Sequence, residues 1–157
     1  MVDLGCGYDY YLVRSITERL QSAVAVDLSV QPSHDPNITS LEHDLNTPLP
    51  LPSDHFDVAV SMANLEHLSQ PLALLKEAHR ILKPGGQLIL TTPSTYAKPI
   101  LEFLAYRLHI VSEPEIRDHK MYFNRTLLRD YLQQAGFTTV IHRYFQLCMN
   151  NFILATK

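Results

Sequence analysis

The sequence predicts an α/β fold: a doubly wound, mostly parallel sheet with an antiparallel final strand. Three observations carry that expectation. Short apolar, strand-like runs alternate with segments of helical periodicity, as a sheet covered on both faces by helices requires. The first run, "VDL", passes through Gly5 and Gly7 directly into a helical segment. The last two apolar runs, "TTVIHRYF" and "NNFILATK", have no helical stretch between them, so they pair with each other as antiparallel strands.

Each element follows from local chemistry. Leu12, Val13, Ile16 and Leu20 recur at three- and four-residue spacing, which predicts a helix over 11–22. "AVAVDLS" is a continuous apolar run ending in Asp27, the form of a strand buried on both faces. Two prolines within 30–37 leave no room for a regular helix, so that connection is a loop or a single turn. "SLEHDLN" predicts a short third strand ending near Asp44, and the prolines of "TPLPLPSD" keep the next stretch extended. "HFDVAVSM" supplies the fourth strand, ending near Ser61. A helix is expected over 71–82, with Ser69 available as a cap and Pro71 in its first turn; "KPGG" ends it and turns the chain into the strand "QLILTT". Asn124 caps a helix over 125–135 that Gly136 and Phe137 terminate.

Composition narrows the function. At 157 residues the chain is expected to be one domain over 1–157, and 46% apolar with 18% charged residues is an ordinary globular balance. The net charge is −3 with the basic residues scattered, so no footprint for duplex nucleic acid or anionic lipid is visible. Cys6 and Cys148 stand far apart, giving neither a disulfide framework nor metal-ligand spacing; a reduced, cytoplasmic protein is the reading. No leader precedes Val2, and the apolar stretch 99–111 is too short and too charged to span a bilayer, so a soluble protein is expected. The histidines His34, His43, His55, His79, His109 and His142 show no ligand spacing suggesting zinc, and no metal is expected.

In a doubly wound sheet the turn after the first strand is the usual ligand site. Gly5 and Gly7 let backbone amides approach a ligand there, and Asp27, at the end of the second strand, can accept hydrogen bonds from both hydroxyls of a ribose. Gly7 is followed by Tyr8, Asp9 and Tyr10, so the full G-x-G-x-x-G of dinucleotide enzymes is missing. Asp3, just before the turn, would repel a diphosphate and hold a cation. The expected ligand has an adenosine end and a positively charged end, and S-adenosylmethionine fits.

"VDLGCG", "VAVDLS", "HDLNTPLPLPSDHFDVAVSMANLEHL" and "EAHRILKPGGQLILTTPS" together resemble the small-molecule class I S-adenosylmethionine-dependent methyltransferases of the type 11 kind, and "HKMYFNRTLLRDYLQQAGF" resembles their later helix. The resemblance implies a Rossmann-like sheet of seven strands, the last antiparallel. It implies that Asp3, Gly5 and Gly7, with Cys6 between them, hold the cofactor's amino acid part, Asp27 with Leu28 the ribose, and Asp44 with Leu45 the adenine, while Ser61 and Met62 line the methionine side. Two departures stand out. Asp9 replaces the family's third glycine, and the helices that usually precede the first strand are lacking, so the chain is expected to be truncated at its N-terminus.

Since the sulfonium supplies an activated methyl group, the protein's task is alignment of an acceptor, with a base only where the acceptor arrives protonated. Glu66 and His67, after the fourth strand, and His119, before "KMYFN", are the candidate catalytic residues, against the alternatives of structural packing and a solvated loop. Tyr10 and Tyr11 either roof the cofactor or pack locally. The apolar face of 99–111 suggests an apolar small-molecule acceptor, with a homodimer contact or core packing as alternatives. Two other functions compete: a catalytically weak methyltransferase-like scaffold, favoured by Asp9, and a nicotinamide-dependent oxidoreductase, favoured by Gly5, Gly7 and Asp27 but opposed by Asp3.

Overall fold

The computed structural model describes residues 1–157, the side chain of Glu115 excepted. Its strands are β1 (Val2–Leu4), β2 (Ala23–Asp27), β3 (Ile38–Glu42), β4 (Phe56–Met62), β5 (Leu82–Pro93), β6 (Thr139–Phe145) and β7 (Asn150–Thr156). The helices are α1 (Tyr11–Ile16), α2 (Pro71–Ile81), α3 (Ala97–Tyr106), α4 (Glu113–Asp118) and α5 (Arg125–Ala135). One sheet takes the order β3-β2-β1-β4-β5-β7-β6, parallel from β3 through β5, with β7 antiparallel to both β5 and β6. The order reverses at β1, flanked by β2 and β4, so the turn after β1 lies at the crevice where such sheets bind ligands.

The register keeps the core continuous. Leu88 and Leu90 of β5 sit opposite Ala155 and Ile153 of β7, and all four are buried. They join Leu74, Leu75, Ala78 and Ile81 of α2 and Leu128 and Leu132 of α5 in one cluster. A smaller cluster of Tyr10, Val13, Ala23, Ala25, Val30 and Ile38 holds α1 against β2.

Several elements differ from expectation. The helix over 11–22 ends at Ile16 and continues as a 3-10 turn, Thr17–Arg19; Val13 is its single buried residue, too little anchorage for a longer helix. β3 stops at Glu42 because Asp44 folds back on its own chain, its Oδ1 accepting from the amide of Asn46 at 2.9 Å. Ser69 does not cap α2: its amide donates to Asn46 Oδ1 at 2.8 Å and its hydroxyl accepts from Lys120 at 3.2 Å, while Gln70 precedes Pro71 without a capping side chain. The "KPGG" segment lies within β5, which starts directly at Leu82 and shifts register against β4 between Phe56 and Val58. The helix within the apolar stretch ends at Tyr106, leaving Ile100, Phe103, Leu108 and Ile110 exposed. The later helix is as expected: Asn124 Oδ1 accepts from the amide of Leu127 at 2.9 Å, and Gly136 takes the left-handed stop at φ 104°. No helix is long and apolar enough to cross a membrane.

Candidate active site

The turn after β1 is shaped by its neighbours. The amides of Gly5 and Cys6 both donate to the carbonyl of Val26, at 2.9 and 3.1 Å, fastening the turn to β2. Gly5 has φ 87°, and a β-carbon there would strike the side chain of Asn64. Gly7 has φ 72° with nothing within 4 Å of the corresponding position, so its surface is open. Where the family has its third glycine, Asp9 is exposed in a turn, and the left-handed conformation falls one residue later on Tyr10, at φ 38°. Tyr10 is buried in the smaller cluster and Tyr11 is exposed, so Tyr10 packs locally.

Three carboxylates surround the turn. Asp3 is 2% exposed and accepts no hydrogen bond from any described residue. Burial first, and the charge of Asp27 second, push its carboxyl up to about 7. Among the described residues no fully buried side-chain oxygen lacks a partner, so the Asp3 oxygens keep a narrow opening to solvent; ionising a carboxyl so deeply placed is costly, and a bound cation would relieve that cost. Asp27 Oδ2 accepts from the amide of Gly7 at 2.9 Å and Oδ1 from that of Ser29 at 3.2 Å, leaving each oxygen a further lone pair. Asp44 is held below the usual carboxylate range by the amide and side chain of Asn46. Burial, then the charges of Asp3 and Asp27, push the Cys6 thiol up to about 12.

Two cavities open nearby, one of them lined by Asp27 and Asp44; Asp3, Gly5, Cys6 and Gly7 line neither. One, of about 220 Å³, is lined by Asp27, Leu28, Asp44, Leu45, Asn64 and His67, among others. The other, of about 450 Å³, is lined by Glu66, His67 and His119 together with apolar residues of β5, α3 and α4, and by Gln146, Met149 and Asn150 around the β6–β7 turn. His67 belongs to both walls. Its Nδ1 lies 2.8 Å from Asp118 Oδ2, and since a carboxylate only accepts, Nδ1 carries a proton, which leaves Nε2 as the acceptor in the neutral ring. Glu66 is 1% exposed, accepts from Thr92 Oγ1 at 2.9 Å, and is raised above the usual glutamate range by burial. The rings of His67 and His119 meet edge to face, with centroids 4.8 Å apart.

The structure therefore brings Glu66, His67 and His119 to one wall, and Asp27, Leu28, Asp44 and Leu45 to another. Ser61 and Met62 line neither cavity. The Ser61 hydroxyl donates to the carbonyl of Leu4 at 2.9 Å, tying β4 to β1, and Met62 Sδ accepts from Thr91 at 3.5 Å. Asn46, Asn64 and Asp118 had no signal in the sequence. Each lies in a turn or at a helix end without periodicity; Asn46 and Asp118 act through the distant Ser69 and His67, while Asn64 donates to Ser61 nearby and lies against Gly5.

A model of a methyltransferase-domain family matches residues 1–142. The chain belongs to that family. The methyltransferase domain takes S-adenosylmethionine as cofactor, and the buried, unpartnered Asp3 beside an open glycine turn fits the cationic end of that molecule. The nicotinamide alternative is thereby set aside. A demethylmenaquinone methyltransferase of Chlamydia muridarum is 51% identical over 53 residues, covering 32% of this chain and 23% of the relative. A tRNA U34 carboxymethyltransferase of Desulfotalea psychrophila is 34% identical over 101 residues, covering 59% of this chain and 32% of the relative. A ubiquinone biosynthesis O-methyltransferase of Ruegeria pomeroyi is 32% identical over 102 residues, 59% of this chain and 38% of the relative. The matched segments thus span less than two fifths of these relatives. Among solved structures, an S-adenosylmethionine-dependent methyltransferase of Mesorhizobium loti superposes with a TM-score of 0.79 at 21% identity, covering 99% of this chain and 89% of the other. That likeness shows the shared fold.

Proposed function

We propose that the domain transfers the methyl group of S-adenosylmethionine to a small-molecule acceptor held in the 450 Å³ cavity. The observation that carries this reading is the pair of adjoining cavities with His67 in their common wall. In the proposal the cofactor, when bound, supplies an activated methyl group on a sulfonium. Asp3 holds the ammonium, Asp27 the ribose hydroxyls, and Asp44 with Leu45 the adenine. The larger cavity is within the range of small-molecule sites and combines Ala97, Leu101 and Met149 with three polar side chains on one wall, which suits a largely apolar acceptor carrying a polar group. His67, held in one tautomer by Asp118, offers Nε2 to an acceptor proton, and Glu66 fixes the backbone behind it: its carbonyl accepts from the amide of Lys120 at 2.8 Å.

The relatives include enzymes named for quinone intermediates and for tRNA. The net charge of −3 and the carboxylates around both cavities favour the small molecule for this chain, because an RNA acceptor needs a positive surface. The test is transfer of labelled methyl from S-adenosylmethionine across a panel of phenolic, amine and quinone-like acceptors, with transfer RNA as a separate arm. Label in a small molecule that His67→Ala reduces at least a hundredfold supports the reading. Label in RNA alone contradicts it.

A further inference from the structure

The three polar side chains on the acceptor-cavity wall come from two separate segments, yet their donor atoms converge. One ligand atom from each of Glu66, His67 and His119 lies within 4.8 Å of the other two. An ion bonded at about 2.1 Å to each in tetrahedral geometry sets its ligand atoms about 3.4 Å apart, so the widest pair must close by about 1.4 Å, roughly 0.7 Å for each side chain. The three groups are also braced from behind. His67 Nδ1 is bonded to Asp118 at 2.8 Å, His119 Nδ1 lies 3.1 Å from the Tyr122 hydroxyl, and Glu66 accepts from Thr92 at 2.9 Å. Metal-bound histidines are typically braced in this way, with one ring nitrogen fixed by a carboxylate or other oxygen so that the other ligates.

We propose that Glu66, His67 and His119 form a binding site for a first-row divalent transition-metal ion on the wall of the acceptor cavity. Two imidazoles and one carboxylate favour zinc, cobalt or iron over magnesium, whose preference is for oxygen. The expectation of no metal rested on the lack of ligand spacing along the chain; 52 positions separate His67 from His119, and only the fold brings them together. With an ion bound, His67 Nε2 is a ligand and no longer a proton acceptor; the positions left open toward the cavity let an oxygen of the acceptor ligate in its place. Only the word acceptor rests on the methyltransferase reading; the ion site stands on side-chain placement.

The test is titration of the untagged chain with Co²⁺, read by its visible d–d absorption, and with Zn²⁺ by calorimetry. One ion per chain is expected, with binding weakened at least tenfold in His119→Ala and to a similar degree in Asp118→Asn, and with no competition from millimolar Mg²⁺. Circular dichroism and S-adenosylhomocysteine binding, measured on the same samples, establish that each variant is folded. Absence of saturable binding in a chain that binds S-adenosylhomocysteine overturns the site and leaves the methyltransferase reading intact. Binding that His119→Ala changes by less than twofold, or that Mg²⁺ displaces, overturns it equally.

Discussion

Replacing Asp3 by Asn should stabilise the empty protein and disable it. The Asp3 carboxyl is 2% exposed, accepts no hydrogen bond from described residues, and is raised from 3.8 to about 7 by burial and by Asp27. Because the folded value lies above the unfolded one, the folded state is favoured at low pH. Its advantage is complete below about 3.8 and lost as pH rises through about 7. At about 1.4 kcal/mol for each tenfold change in proton affinity, the charged carboxylate costs the empty fold roughly 4 kcal/mol above pH 7. Asparagine removes that charge but leaves an amide to bury, so a net gain of about 1–3 kcal/mol is expected at pH 8 and almost none at pH 5. Cofactor binding should move oppositely: without the carboxylate, the cofactor's ammonium is buried unpaired, a loss of about 3 kcal/mol or roughly a hundredfold in affinity. Urea unfolding from pH 5 to 8, with and without S-adenosylhomocysteine, measures both effects. A variant less stable than the parent at pH 8, with the same pH slope, would refute the argument.

Other perturbations separate strain from contact. Gly5→Ala must adopt φ 87° and displace Asn64, whereas Gly7→Ala meets only strain at φ 72°; thermal melts should show the first costing more than the second, whose left-handed penalty is about 1–2 kcal/mol. Arg80 donates to the carbonyls of Leu49 and Leu51 at 3.0 and 2.9 Å and to Glu77 at 2.8 Å, so Arg80→Ala frees the proline-rich segment that follows Asn46. A loss of about 2 kcal/mol is expected, with faster hydrogen exchange at Leu49; exchange unchanged there would argue against it. Thiol labelling at pH 8 should modify exposed Cys148 quickly and Cys6 slowly, until denaturant abolishes the difference.

The strands and the carboxylates proposed to hold the cofactor were legible because each has a local signature. β2 is a short β-branched and alanine run ending in an acid, and α5 carries its own cap and stop. The limits of α1 and β3 were not, since Val13 alone anchors the one and the Asp44–Asn46 turn cuts short the other. α4 leaves little periodicity to read in six residues, so Asp118 could not be foreseen as the partner of His67. Glu66 and His67 stood out in the sequence, while their convergence with His119 depends on a chain reversal that no local pattern encodes.

Calorimetric titration with S-adenosylhomocysteine bears most directly on the claim that a bare glycine turn between Asp3 and Asp27 grips a molecule adenosyl at one end and cationic at the other. One molecule bound per chain, tighter at pH 8 than at pH 6 as Asp3 ionises, is the predicted result. No heat at either pH, or affinity indifferent to pH, would contradict it.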